Sequence, residues 1–272
     1  MSTFDNIQLS KVSLNNGIEM EYAKTGTGKY PILFIHGYGD SWYSFSAVMN
    51  YMANTEYTMI SVSLRGHGES SKPLNDYKIS DYINDIIQFL DIVEFKPLAV
   101  VGHSMGTFIA RELSLQISGV EKLILVDSAA SADTDTLREV QEIVKDLKDP
   151  VPSKFAYDFQ SGTCIAPLVE GIDIETIVEE SSKLPAHVWK IALDELIAHI
   201  PRDSDFDELA KITIPTLILW GKHDDIFPKD QQDILLEKIK SSKIRIFEDA
   251  GHAPNWEFPS KVAKEIDLFI KD

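Results

Sequence analysis

Between Val100 and Ala110 the chain reads VVGHSMGTFIA. Ser104 stands between Gly102 and Gly106, after an apolar run and before residues spaced to sit inside a helix (Phe108, Ile109, Leu113, Ile117). A strand that turns this sharply into a helix forces its central residue into a strained conformation. It also leaves no room for side chains two positions to either side, a demand that the glycines meet. The serine hydroxyl is lifted out at the top of the turn, beside helix N–H groups that favour negative charge. A glycine-rich turn with an ordinary capping serine would satisfy the same five residues, so the rest of the chain must decide. As a nucleophile, serine needs a base, and the base needs a carboxylate to orient it.

Seven histidines compete for the role of base. His252, in EDAGHAPNWEFP, follows the last apolar run and precedes the last helical pattern, which puts it in a loop at the same sheet edge as Ser104. His36 and His103 flank glycines at strand ends and suit packing or loop ordering, although His36 is also a candidate for the pocket wall. His67, in LRGHGES, suits a turn, and His187, His199 and His223 suit plain polar positions. The carboxylate is expected in the chain order Ser…Asp…His. Asp224 in LILWGKHDDIFP fits, with Asp225 beside it and Asp127 at the end of LILVD as alternatives. A tetrahedral oxyanion needs two fixed N–H donors. The backbone of Met105, just after the serine, is one candidate; that of Tyr38, in the glycine-rich FIHGYGD, is the other.

One scaffold must bring these residues together. PILFIHG (31–37), TMISVSL (58–64), PLAVVGH (97–103), KLILVDS (122–128), TLILWG (216–221) and KIRIFED (243–249) read as strands. They are apolar nearly throughout, as strands covered on both faces must be, which predicts a parallel sheet. Helical stripes lie between them: Trp42, Phe45, Val48, Met49 and Met52; Ile83, Ile86, Ile87, Leu90 and Val93; Val262, Ile266, Phe269 and Ile270. This alternation is the grammar of an α/β fold. The first segment differs, reading as a hairpin that turns at Asn15-Asn16-Gly17. Between residues 131 and 211 the alternation stops. A stripe of Leu137, Val140, Ile143, Val144 and Leu147 is broken by Pro150 and Pro152, and further helical pieces follow around 153–160, 173–183 and 186–199. An all-helical insertion is expected there, placed to cover the C-terminal edge of the sheet as a lid.

The totals exclude several function classes. The 272 residues carry 43 acidic and 26 basic side chains, a net charge of −17. A nucleic-acid binder needs a Lys/Arg surplus to displace counterions, and a peripheral membrane binder needs one to meet anionic lipid. The single Cys164 permits no intrachain disulfide. The N-terminus MSTFDNIQLSKV lacks the pattern of a secretory leader, and no apolar run reaches the length of a membrane span, so a cytoplasmic protein is expected. No HExxH pair, cysteine cluster, G-x-G-x-x-G or G-x-x-x-x-G-K-[ST] motif occurs, so neither a metal nor a nucleotide cofactor is expected.

Taken in order, the hairpin, HGYGDS, SLRGHGES, GHSMG, LILVDS, the insertion, LILWGKHDD and AGHAPNWEFP resemble the α/β-hydrolase superfamily along nearly the whole chain. The resemblance is to its small, carboxylesterase-like serine hydrolases, with a helical lid inserted after the sixth strand. It implies a mostly parallel central sheet flanked by helices, a core domain of residues 1–130 and 212–272, and a lid of residues 131–211. Relatives with an aspartate nucleophile, the epoxide hydrolases and haloalkane dehalogenases, do not match Ser104. Two positions depart from the family pattern. Ser63 stands where an acidic residue is common, which predicts local rewiring. Thr107 stands where a second glycine is common, which predicts little change.

The expected chemistry is acyl transfer to water from a small-molecule substrate. The aromatic lid residues Phe155, Tyr157, Phe159 and Trp189 suggest an apolar pocket for a small or medium ester, with Phe155, Phe159 and Trp189 as candidate walls. Such side chains more often form a lid's own core than a substrate wall. Lactone, thioester or carbon–carbon bond hydrolysis would use the same parts, perhydrolysis is open as a side activity, and a slow-turnover ligand receptor would keep them too. Nothing in the sequence fixes the oligomeric state.

Overall fold

The computed structural model describes residues 7–53, 56–168 and 172–272. The first six residues, where the expectation of no leader partly rests, and residues 169–171 of the insertion lie outside the described residues. The chain opens with β1 (Gln8–Ser13) and β2 (Glu19–Thr25), paired antiparallel. Their connection closes where Leu14 N–H donates to the Ile18 carbonyl at 2.7 Å, with Gly17 at φ +84°. A left-handed residue is cheap only for glycine, so the Asn-Asn-Gly turn forms as its residues require.

Six strands follow: β3 (Tyr30–Ile35), β4 (Tyr57–Val62), β5 (Ala99–His103), β6 (Lys122–Val126), β7 (Thr216–Gly221) and β8 (Ser242–Phe247). The sheet order is β1-β2-β4-β3-β5-β6-β7-β8, parallel from β4 onward. The chain lays β4 on one side of β3 and then returns to lay β5 on the other. Loops leaving adjacent strands at such a reversal open a crevice at their C-terminal ends.

Alternate residues of the strands feed two apolar layers. Leu33, Ile35, Val100, Leu123 and Leu125 pack on one face with α2 (Ile79–Ile92) and α3 (Met105–Gln116). Ile32, Phe34, Val101, Ile124 and Leu217 pack on the other with α1 (Ser46–Tyr51) and α10 (Pro259–Lys271). Two expectations need correction. Trp42 does not share the stripe of Phe45, Val48, Met49 and Met52, because Trp42–Phe45 is a 3₁₀ turn started by the Ser41 hydroxyl and only Ser46–Tyr51 is α-helical. The tighter turn leaves Trp42 packed against a separate apolar cluster that includes Tyr43, Ala47 and Trp256. Strand β8 is not covered on both faces. It is the sheet's edge, and Ile246 is 45% exposed.

Between β6 and β7 lie α4 (Asp135–Val144), α5 (Ser153–Ser161), α6 (Ile174–Ser182) and α7 (Ala186–His199). Val188, Trp189, Ala192, Leu193 and Leu196 of α7 are buried in the same apolar cluster as one face of the sheet. After β7 come α8 (Lys229–Lys238) and α9 (Pro254–Glu257). No helix among the described residues is long and apolar enough to cross a membrane.

Candidate active site

Ser104 joins β5 to α3 with φ +50° and ψ −120°, a conformation outside the ordinary regions for a residue with a side chain. Its neighbours hold it there. A Cβ on Gly102 would meet the Gly106 carbonyl oxygen at 2.4 Å, and one on Gly106 would meet that of Ile35 at 2.3 Å. The elbow therefore packs backbone on backbone, against itself and against β3. Thr107 adds a brace: its hydroxyl donates to the Ser104 carbonyl at 2.7 Å and accepts from Ser128 at 2.9 Å. Thr107 thus takes a part in the turn beyond the small change expected of it.

The Ser104 hydroxyl donates to His252 Nε2 at 2.8 Å, and His252 Nδ1–H donates to Asp224 Oδ2 at 2.9 Å. A carboxylate only accepts, which assigns the ring proton to Nδ1 and leaves Nε2 free to take a proton from serine. Asp224 Oδ1 accepts the backbone N–H groups of Ile226 and Phe227, both at 2.9 Å. Three donors thus converge on Asp224.

The two alternative carboxylates fall elsewhere. Asp225 lines an outer cleft and is not the partner of the histidine. Asp127 lies directly beside Asp224, fully buried, with Oδ1 on the Gly221 N–H at 2.8 Å. Burial, and next the charge of Asp224, push the Asp127 carboxyl well above the usual carboxylate range.

The FIHGYGD loop leaves β3 and crosses over the serine; a Cβ on Gly37 would stand 3.0 Å from the Ser104 Cβ. Met105 is the first residue of α3, so no carbonyl within the helix meets its N–H. Tyr38 and Ser104 line the same small chamber. The insertion grips this loop from above. The Gly39 carbonyl accepts from Gln160 Nε2 at 3.0 Å and from the Ser181 hydroxyl at 2.8 Å, and the Tyr38 hydroxyl donates to the Trp189 carbonyl.

Of the candidate wall residues, Phe155 and Phe159 line a cleft of about 450 Å³ that reaches His252. Trp189 lines neither that cleft nor the chamber. Its ring is fully buried behind them against Tyr38, Phe155 and Phe159, at centroid separations of 5.0, 5.0 and 5.1 Å. His36 is also no wall residue. Nδ1–H donates to the Gly37 carbonyl at 2.7 Å, Nε2 accepts the Leu64 N–H at 3.0 Å, and burial, then His67, hold its pKa well below the ordinary value. His67, expected at an ordinary turn, is completely buried against His36. His223, expected to be merely polar, lines the outer cleft.

Other residues of the site carried no signal in the motifs. Glu257 is buried and accepts backbone N–H groups of Gly251 at 2.8 Å and of Ile165 and Ala166 at 2.7 Å each. His252 N–H donates to the Thr163 carbonyl at 2.7 Å. His103 donates from Nε2 to the His252 carbonyl at 2.8 Å, while its Nδ1 stands 3.7 Å from Asp40 Oδ2. The expected rewiring at Ser63 takes a definite form. Ser63 Oγ donates to Glu21 Oε2 at 2.8 Å, and the same oxygen accepts the Glu69 N–H at 3.0 Å. A carboxylate from β2 thus serves the loop that an acidic residue at position 63 would serve.

Comparison with known proteins gives a consistent picture. The family model described as alpha/beta hydrolase family matches residues 32–265. An AB hydrolase superfamily protein of Bacillus subtilis is 29% identical over 254 residues, covering 88% of this chain and 91% of that protein. A monoacylglycerol lipase of Mus musculus is 28% identical over 259 residues, covering 89% and 76%. Among solved structures, an esterase from Exiguobacterium antarcticum superposes with a TM-score of 0.85 at 23% identity, covering 97% of this chain and 100% of that one.

Proposed function

The chain belongs to the alpha/beta hydrolase family, and on that footing we propose that it is a serine hydrolase cleaving a small or medium apolar carboxylic ester through an acyl-enzyme intermediate. The observation that carries this reading is the unbroken relay from Ser104 Oγ through His252 to Asp224, at the mouth of an apolar cleft. The 28% identity to a monoacylglycerol lipase supports an ester as substrate. The acidic net charge favours a small uncharged substrate over a polyanionic partner.

In this mechanism Ser104 Oγ attacks the ester carbonyl carbon as its proton passes to His252 Nε2. Asp224 keeps the ring oriented and balances the charge of the imidazolium. The carbonyl oxygen becomes an oxyanion facing the N–H groups of Tyr38 and Met105, which need not reorganise as charge develops. Collapse breaks the bond to the alcohol oxygen, which leaves with the proton from His252. Water then gives a proton to His252 as its oxygen attacks the acyl carbon; the bond to Ser104 Oγ breaks, Oγ takes the proton back from His252, and the acid is released. Helices α4 to α7 act as the lid, limiting water around the reacting carbonyl and shaping the pocket.

Steady-state hydrolysis of p-nitrophenyl esters from acetate to decanoate, by the wild-type protein and by Ser104→Ala, tests the reading. Repeated turnover by the former and background rates for the latter are expected. Equal activity of both would show that Ser104 is not the nucleophile. Inactivity of both on every ester would overturn the ester reading and direct the search to lactones, thioesters and β-diketones.

A further inference from the structure

Two adjoining spaces of very different size meet at His252. The outer cleft, about 450 Å³, is walled by apolar side chains including Val140, Ile143, Phe155 and Ile165. It touches His252 but not Ser104, Gly37 or Tyr38. The inner chamber touches all four, and only about 20 Å³ of it is free. That is room for a group about the size of one water molecule. Leu137 and Leu196 close the inner chamber, and both are buried. Four residues border both spaces and form the neck: Phe159, Thr163, Ile226 and His252.

Resting on the reading of Ser104 as nucleophile, we propose that the site sorts its substrate by role: a short acyl group, acetyl in size, enters the inner chamber, and a bulky, uncharged, apolar alcohol occupies the outer cleft. The chemistry fixes which half goes where. The carbonyl carbon must reach Ser104 Oγ, and its oxygen must face Tyr38 and Met105. The leaving oxygen must lie within reach of His252 Nε2, because that atom returns the proton. The alcohol therefore extends from the His252 side, and the space that opens from His252 without touching Ser104 is the outer cleft. The acyl group stays bonded to Ser104 Oγ while the alcohol departs and water arrives. A closed chamber for the part that stays and an open cleft for the parts that exchange suit that order of events.

The walls make the sorting strict. Phe159 stands edge-on against Tyr38 and Trp189, so its ring is braced on two sides at the neck. Extra methylenes forced into a packed space cost stability rather than gaining contact. In the outer cleft, each added methylene removes apolar surface from water. The carboxylates of Asp158 and Asp225 also border the outer cleft, which disfavours a phosphorylated or carboxylated alcohol.

Two ester series read this out, with kcat/KM as the observable. In p-nitrophenyl esters the alcohol is constant and the acyl chain grows; kcat/KM is expected to fall about tenfold or more from acetate to hexanoate. In alkyl acetates, from ethyl to octyl, the acyl group is constant; kcat/KM is expected to rise by up to about fourfold per methylene until the cleft is filled. Leu196→Ala should move the acyl optimum to butanoate or longer, while kcat/KM in the alkyl series should still rise with each added methylene. Should that core variant not fold, Ile143→Ser, at an exposed position of the cleft, should flatten the alkyl series while the acyl ranking persists. An acyl optimum at hexanoate or beyond, or a flat alkyl series, overturns the assignment alone. Failure to hydrolyse any ester overturns the underlying reading and the assignment with it.

Discussion

Ser104 owes its geometry to the residues packed around it. Gly106 lies so close to the backbone of β3 that a methyl group would meet the carbonyls of Ile35 and His36 at 2.3 and 2.6 Å. Gly106→Ala should therefore push the elbow away from β3, costing about 1–3 kcal/mol of stability. Urea denaturation reads the stability, and a loss of kcat with little change in KM reads the displaced hydroxyl. Asp127 poses a different question. An amide there offers a donor toward Asp224 and keeps an acceptor for the Gly221 N–H, so Asp127→Asn should stay within a few-fold of wild-type kcat/KM. Asp127→Ala leaves the Gly221 N–H buried without a partner, at a cost of about 1–3 kcal/mol. Ser104, Asp224 and His252 could be singled out from the chain because each stands in a loop directly after an apolar run, in a fixed order. Asp224 could not be separated from Asp225 that way. Adjacent residues share every sequence signal, and only the turn that offers Ile226 and Phe227 N–H groups to one of them distinguishes the pair.

The insertion between β6 and β7 is stitched to the site rather than laid over it. Its 160–166 segment supplies the Gln160 amide to Gly39, the Thr163 carbonyl to the His252 N–H, and the Ile165 and Ala166 N–H groups to Glu257. Glu257 is the knot, since its other oxygen holds Gly251, next to His252. Glu257→Gln replaces an acceptor oxygen with an NH₂ group and sets donor against donor. A loss of about 1–3 kcal/mol is expected, together with a roughly tenfold fall in kcat. Denaturation and steady-state kinetics with p-nitrophenyl acetate check the two parts. The helices themselves were legible, because their apolar stripes repeat at the helical period and their breaks fall at prolines. Glu257 was not, because its partners in the insertion lie 91 and 92 residues away. A buried carboxylate fed by backbone N–H groups has no local signature. Strand β8 misled for the opposite reason: its apolar residues match those of a buried strand, and only its place at the edge exposes them.

Taken whole, the protein carries its net −17 charge over a core that contains buried, neutral histidines. Burial pushes His67 down to about 4 and holds His36 well below the ordinary value. In the unfolded chain both return to about 6.5. The stability they hold is therefore full above about pH 6.5. It is lost as pH falls toward the folded values, because the unfolded state takes up protons first. For His67 the loss between about pH 6.5 and 4 amounts to roughly 3 kcal/mol. Urea denaturation across that range should show a slope that shrinks by about one proton in His67→Phe. A slope identical in the two proteins would place the titration elsewhere. The fold class was readable because each strand-and-helix unit announces itself locally. The burial of His67 depends on which units come to lie above it, and that is a property of the complete molecule.

A covalent probe of the intact protein bears on the nucleophile without presuming any substrate. A fluorophosphonate carries a leaving fluoride on a tetrahedral phosphorus and stays bonded to an activated serine. Mass spectrometry of the wild-type protein after treatment should show one adduct, mapped by peptide fragmentation to Ser104, with no adduct in Ser104→Ala and much slower labelling in His252→Ala. An unmodified wild-type protein, or an adduct on any other residue, would contradict Ser104 as the activated nucleophile.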